Sequence, residues 1–236
     1  ANTEKTWSGR AALRWAPTDG FDATISYMMQ DQNVGARQIS SDRSIFATEK
    51  YTSNQRVLEP SRNKNELLAL ESTLDLGFAD LTMAAGYSRY REYGQRDQTD
   101  LLISLEYSYE AFPEFTAFTR EDEKDTTTTF EPRLVSKLDG PFNYIVGAFY
   151  NRFNGWASTK EFTPGYAEFN GSSRPDALEY YNVGYTDLIE KALYSELTYE
   201  ITPKLQVTGG LRYYDYKYTT QTATDFPLAN TVFGVP

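Results

Sequence analysis

Six residues of this chain have side chains suited to gripping a polar ligand: Tyr90, Arg91 and Tyr93 in YREY, Arg152 and Trp156 in NRFNGW, and Tyr216 in YYDYKY. Aromatic faces beside guanidinium groups suit anionic metal chelates or sugar rings, because the ring stacks while the forked cation pairs with oxygen. These six are the candidate ligand-binding residues. A second feature is the charged run TREDEKD, Thr119 to Asp125. Its carboxylates could bind divalent cations that bridge lipopolysaccharide, or be simply a solvated loop tip. They lack the alternating ligands and central glycine of a calcium loop.

Other chemistry is narrowed by what the composition leaves out. The 236 residues include no Cys and no His, which removes thiolate nucleophiles, disulfides and the commonest general base and metal ligand. No nucleophile elbow, phosphate loop or metalloprotease motif occurs, so no catalytic residue, metal site or cofactor is assigned and the chain is read as a non-enzyme. The net charge of -10 argues against nucleic acid as a partner. Mean hydropathy is -0.59, and no apolar run approaches the roughly 18 residues of a membrane helix.

The elements that must position these groups are strands. From Ile189 to Tyr218, two alternating runs fold about a short turn containing Pro203. Leu205, Val207, Gly209, Leu211 and Tyr213 share one face of the second run, and Gln206, Thr208, Gly210, Arg212 and Tyr214 the other. Period two marks a strand, and the short connector marks a hairpin. Three more hairpins precede it. Trp7 to Trp15 and Phe21 to Met29 flank APTDG, Leu68 to Leu76 and Leu81 to Tyr87 flank GFAD, and Phe130 to Leu134 and Tyr144 to Tyr150 flank KLDGP. The segments Asp31 to Arg62, Arg91 to Asp125, Arg152 to about Leu188 and Thr219 to Pro236 read as long irregular connections. Within the second, Leu101 to Tyr109 alternates and could pair with Phe115 to Thr119 as a protruding ribbon.

Tight turns near residues 18, 78, 139 and 202 recur roughly every sixty residues, and short connectors alternate with long ones. Outer-membrane barrels share this asymmetry, with short periplasmic turns and long extracellular loops, and about ten residues suffice for a tilted strand to cross. On this reading Trp7, Trp15, Phe21, Tyr87, Phe142, Tyr150, Tyr199 and Tyr213 form aromatic girdles. Arg10, Arg14, Glu71, Asp75, Glu131, Arg133, Glu196 and Arg212 fall on the lumen-facing side, where opposite charges can pair across strands. Ordinary core aromatics and a solvated inner wall are the plainer alternatives.

The phrases RAALRWAPTDGFDATISYMMQD, FEPRLVSKLDGPFNYIVGAFYNRF and ALYSELTYEITPKLQVTGGLRYYDYKY resemble the barrel region of TonB-dependent outer-membrane receptors related to siderophore receptors. The resemblance covers all four hairpins. It implies an all-β fold in which residues 1–236 are an antiparallel transmembrane segment, about eight strands of a barrel of about 22 strands. It also implies uptake of a ferric siderophore, cobalamin or glycan at the cell outer membrane. The partners it implies are outer-membrane lipid and lipopolysaccharide, a plug domain, the TonB complex and a small-molecule substrate. The chain departs from the family pattern in showing no plug, no TonB box, no signal peptide and no terminal aromatic strand. It is therefore expected to be a segment that does not fold stably alone, since an open arc leaves two unpaired edges. Two other readings remain: a complete eight-stranded barrel with a structural or adhesive role, and a secreted carbohydrate-binding β-sandwich.

Overall fold

The computed structural model describes residues 3–37, 53, 55–105 and 109–234. Among them the strands are β1 (Glu4–Thr18), β2 (Phe21–Val34), β3 (Ser61–Asp75), β4 (Ala79–Asp97), β5 (Phe118–Ser136), β6 (Phe142–Phe162), β7 (Leu178–Thr202) and β8 (Leu205–Asp225). Each pairs antiparallel with its neighbour in sequence, so one sheet runs in the order β1 to β8 and those two strands are its edges. Helices α1 (Thr99–Ser104), α2 (Tyr166–Phe169) and α3 (Pro227–Phe233), with a 3-10 turn at Tyr109–Ala111, lie at the end opposite the tight turns.

Local chemistry fixes the tight turns. Gly77 sits at φ 84°, a conformation that costs glycine little, and its N–H donates to Asp75 Oδ1 at 2.7 Å. Asn143 Oδ1 accepts from Leu138 N at 3.1 Å and Ser136 Oγ at 2.8 Å, closing the β5–β6 turn. Lys137 reaches Asp75 and Asp80, both at 2.8 Å, and so ties two neighbouring turns together.

Register then makes the sheet two-faced. Leu13 pairs with Ile25, Ile25 with Leu70, Leu70 with Ala85 and Ala85 with Phe130. On the same face Leu211 is 81% exposed, Leu205 53% and Val207 55%, with no second layer of the described residues over them. A secreted sandwich would bury these residues, so that reading is excluded. Trp15 and Phe21 meet edge to face at 5.3 Å near the turn end, and Phe142 pairs with Tyr199 at the same end. Trp7, Tyr87, Tyr150 and Tyr213 stand on this apolar face farther along, so the eight sequence-assigned girdle aromatics bracket its aliphatic band.

Several sequence boundaries are corrected. β7 and β8 extend to Leu178 and Asp225, and β6 to Phe162, so parts of the expected loops are strand. These outer portions are rich in Thr, Asn, Gly and charge, which blurs the apolar alternation although the ladder continues. TREDEKD likewise belongs to β5 and is not a loop tip. Among the described residues the expected ribbon is absent: Thr99–Ser104 is helical, Phe118 and Thr119 belong to β5, and Tyr107 lies outside the described residues. Because neither half of that ribbon adds a strand, the up-and-down order survives. Most of the Asp31 to Arg62 connection also lies outside the described residues.

Candidate functional site

The polar face carries charged and hydrogen-bonding groups, several of them paired with one another. All eight charged residues assigned to it by alternation share it in the register, as the row Arg14, Thr24, Glu71, Ala84 and Glu131 illustrates. Arg14 Nε donates to Asp22 Oδ2 at 2.5 Å. Glu131 Oε1 accepts from Arg133 Nε at 3.0 Å and from the Tyr194 hydroxyl at 2.8 Å. Tyr194 lies across Gly147, where a Cβ would come within 2.3 Å of the ring, and the Arg212 guanidinium lies 5.7 Å from the Tyr194 ring and 5.6 Å from Phe149. Glycine at 147 is thus what lets the tyrosine lie flat and reach the carboxylate. Toward β1 the same face opens into a groove of about 780 Å³ lined by Arg10, Met28, Gln30, Asn65, Ser88 and Tyr90.

The six candidate ligand residues do not form one constellation. Tyr90 faces the polar groove and donates to Glu92, and Tyr216 stacks on Tyr214 at 6.4 Å on the polar face of β8. Arg91, Tyr93, Arg152 and Trp156 lie on the opposite face, the one that carries the apolar belt. There Arg91 stands between Lys64 and Lys124, Arg152 Nη2 donates to Asp187 Oδ2 at 3.0 Å, and Lys124 Nζ sits 4.4 Å from the Trp156 ring. The cause is the pleat, which sends neighbours such as Tyr90 and Arg91 to opposite sides. The pleat also divides TREDEKD: Glu121, Glu123 and Asp125 take the polar side, and Arg120, Asp122 and Lys124 the other. Among the described residues no group of three or more Asp or Glu is arranged to hold a metal.

Two features escaped the sequence reading. Tyr214, Tyr216 and Tyr218 form an exposed ladder along one face of β8, a period-two signal visible in YYDYKY but obscured by the intervening Asp215 and Lys217. The other is a small core at the outer end of the sheet, where Leu102, Tyr109, Phe115, Ala117, Tyr166, Ala167 and Leu228 pack together. Tyr109 lies 4.7 Å from Phe115 and 4.8 Å from Tyr166, ring to ring. Arg174 fastens this cap, donating to Leu178 O at 2.9 Å and to Thr231 Oγ1 at 3.0 Å.

Carboxylates are drawn into the cap. Tyr109 donates to Glu179 Oε1, while Glu179 Oε2 is buried with no hydrogen-bond partner among the described residues. Burial holds the Glu179 carboxyl above its ordinary range, against the lowering effect of hydrogen bonds from Tyr109 and Thr163. Glu161, on the adjoining strand, is pushed up to about 7 by burial and by the Glu179 charge. Burial, together with the Glu179 bond, pushes the Tyr109 phenol far above its usual value.

A sequential antiparallel sheet with an exposed aliphatic belt on one face, paired charges on the other and tight turns at one end has the build of an outer-membrane barrel wall. The family described as TonB dependent receptor-like, beta-barrel, matches residues 30–234, and the chain belongs to it. The fold is similar to that of the ferric yersiniabactin uptake receptor FyuA from Yersinia pestis, with a TM-score of 0.69 and 14% identity over 94% of this chain and 31% of that one. It is also similar to the ferric citrate transporter FecA in its unliganded form, with a TM-score of 0.60 and 13% identity over 94% of this chain and 33% of that one. The chain thus spans about a third of the length of these receptors. No curated protein matches the sequence.

Proposed function

We propose that this chain is a wall segment of a TonB-dependent transporter in the outer membrane, taking up a scarce nutrient of the ferric siderophore, cobalamin or glycan kind. The observation that carries the reading is the division of the sheet into an exposed aliphatic belt bracketed by aromatics and an opposite face of paired ions. Lipid would cover the first, and the plug of the full-length receptor would meet the second. The similarity to FyuA and FecA, named for ferric yersiniabactin and ferric citrate, favours an iron chelate within that range.

On this reading the ligand meets the polar face at the outer end, where Tyr90 and the Tyr214, Tyr216 and Tyr218 ladder offer rings to a chelate or sugar. Arg91, Tyr93, Arg152 and Trp156 are released from that role, because their strands turn them to the other side. Binding of a radiolabelled ferric siderophore panel to cells expressing the full-length receptor tests it. A Tyr90→Ala, Tyr216→Ala variant is expected to lose binding roughly tenfold, the scale of one to two stacked-ring contacts. Equal binding by parent and variant, with uptake independent of TonB, refutes the proposal.

A further inference from the structure

One short stretch of the sequence belongs neither to the sheet nor to its ligand face. Glu168, Phe169, Asn170, Gly171 and Ser172 spell Glu-x-Asn-x-Ser, with no proline at either variable position. An asparagine followed two residues later by Ser or Thr is the acceptor pattern for N-linked sugars on exported proteins, and its bacterial form also carries an acid two residues before the asparagine. Of the asparagines in the sequence, only Asn170 satisfies even the shorter pattern.

The fold places this stretch where a sugar has room. Asn170 follows α2 in the β6–β7 connection, at the end of the sheet opposite the tight turns, and is exposed together with Glu168, Phe169 and Gly171. Gly171 takes a φ of 73° and turns the chain away, and a Cβ built on it would meet no atom within 4 Å. Open space therefore lies beside the acceptor. Phe169 is 47% exposed and stacks on Phe112 at 4.9 Å, so a sugar on Asn170 stands beside an apolar plate that the C–H groups of its ring can cover.

The hydrogen bonds of the turn accommodate the attachment. Asn170 Nδ2 donates to Tyr166 O at 2.9 Å, Gly171 N to Glu168 O at 3.0 Å and Ser172 N to Ala167 O at 2.9 Å. A primary amide has two N–H groups and a sugar replaces only one, so the bond to Tyr166 survives modification. Helix α2 is a single turn of four residues, too short to be stable by itself, and the stretch opens readily for an enzyme that needs it extended. The competing fate of an Asn-Gly pair is attack of the glycine nitrogen on the side-chain carbonyl with loss of ammonia. The closed turn opposes it, because Gly171 N is held by Glu168 O.

We propose that Asn170 is the acceptor of an N-linked oligosaccharide. The donor is a sugar chain joined through its first anomeric carbon to a polyprenyl diphosphate. Asn170 Nδ2 forms a bond to that carbon and gives up one proton, the carbon–oxygen bond to the diphosphate breaks, and the lipid diphosphate leaves with the electron pair. Ser172 supplies the hydroxyl and Glu168 the carboxylate by which the transferase grips the extended stretch. The modification stands apart from the membrane reading above. Display of the sugar on the cell exterior rests on it, since that reading is what turns this end of the sheet outward.

The test maps peptides of the full-length receptor purified from the outer membranes of its own cells. The peptide containing Asn170 is expected to carry one oligosaccharide, seen as added mass and as sugar fragments in its spectrum. Asn170→Gln should remove it completely. Ser172→Ala leaves the Asn170 amide and the backbone bond to Ala167 in place, so it decides the matter should Asn170→Gln fail to fold. It should lower occupancy roughly a hundredfold or more, the scale on which a site built around a hydroxyl rejects its absence, whereas Ser172→Thr should keep it. An unmodified peptide from the parent, one in which Asn170 has merely lost its amide nitrogen, or full occupancy in Ser172→Ala overturns the site. Periodate and a membrane-impermeant hydrazide, applied to intact cells before purification, label the sugar from outside. Label on the purified parent and none on Ser172→Ala is the expected result; a glycosylated parent that stays unlabelled refutes the membrane reading and leaves the site standing.

Discussion

Replacing Glu161 with Gln should make the outer cap more stable at neutral pH and reduce its dependence on pH. The Glu161 carboxyl has its folded-state value raised from 4.5 to about 7 by burial and by Glu179. A raised carboxyl means that the folded cap holds a proton the opened cap releases, so stability is fullest below about pH 4.5, falls as the pH rises to about 7, and is level above. For a fully shielded group a shift of this size corresponds to about 3 kcal/mol; partial exposure of Glu161 to solvent reduces that to about 1–2 kcal/mol. Glu179 acts in the same sense, its own carboxyl being raised by burial, and Glu110 acts on the neighbouring Tyr166. Hydrogen exchange of the Tyr109–Ala117 amides in the full-length receptor measures the effect. Protection should fall between pH 5 and 8 by a factor of about 5–30 after correction for intrinsic exchange. In the Glu161→Gln variant the fall should be smaller, the residual dependence coming from Glu179. Equal corrected protection at pH 5 and 8 in the parent, or a variant that keeps the parental slope, would refute the reasoning.

Gly147→Ala should destabilise the wall by about 1–3 kcal/mol, because the new methyl group meets the Tyr194 ring and dislodges its hydroxyl from Glu131; urea unfolding in lipid vesicles measures it, and Gly147→Ala, Tyr194→Ala should recover part of the loss. Glu59 is 1% exposed, holds Arg37 and accepts from Asp97 N at 2.9 Å, so Glu59→Ala should cost about 3 kcal/mol locally and raise proteolytic cleavage near residue 58. Leu211→Arg should cost about 2–4 kcal/mol in vesicles if its depth is near the midplane, whereas Gln206→Arg on the opposite face should cost under about 1 kcal/mol.

How much of this was legible in the sequence follows from where the alternation is strong. Leu205, Val207, Leu211 and Tyr213 must face one medium and Gln206, Thr208, Arg212 and Tyr214 another, so the faces of β8 and the charged wall could be read without coordinates. The strand ends could not. Beyond Leu188 toward Leu178, or beyond Tyr218 toward Asp225, both faces meet water and the contrast fades, although the backbone ladder persists. The candidate ligand residues divide for a different reason. Tyr90 and Arg91 both stand high on the strand toward the external mouth, but the pleat sends them to opposite faces and sets Arg91 beside Lys64 and Lys124 on other strands. The helical cap was missed because Leu101, Ile103 and Leu105 also alternate, and six residues of helix carry too few turns to show a period.

The central claim is that the two faces of the sheet meet different media. Because this chain contains no Cys, single cysteines at Leu13, Val207 and Leu211, and at Arg14, Gln206 and Arg212, can each carry a fluorescent probe in the full-length receptor reconstituted in vesicles. The account predicts that brominated lipid chains quench the first three and leave the second three unquenched, an alternation that follows the pleat residue by residue. Uniform quenching of both sets, or none at the first three, would contradict it.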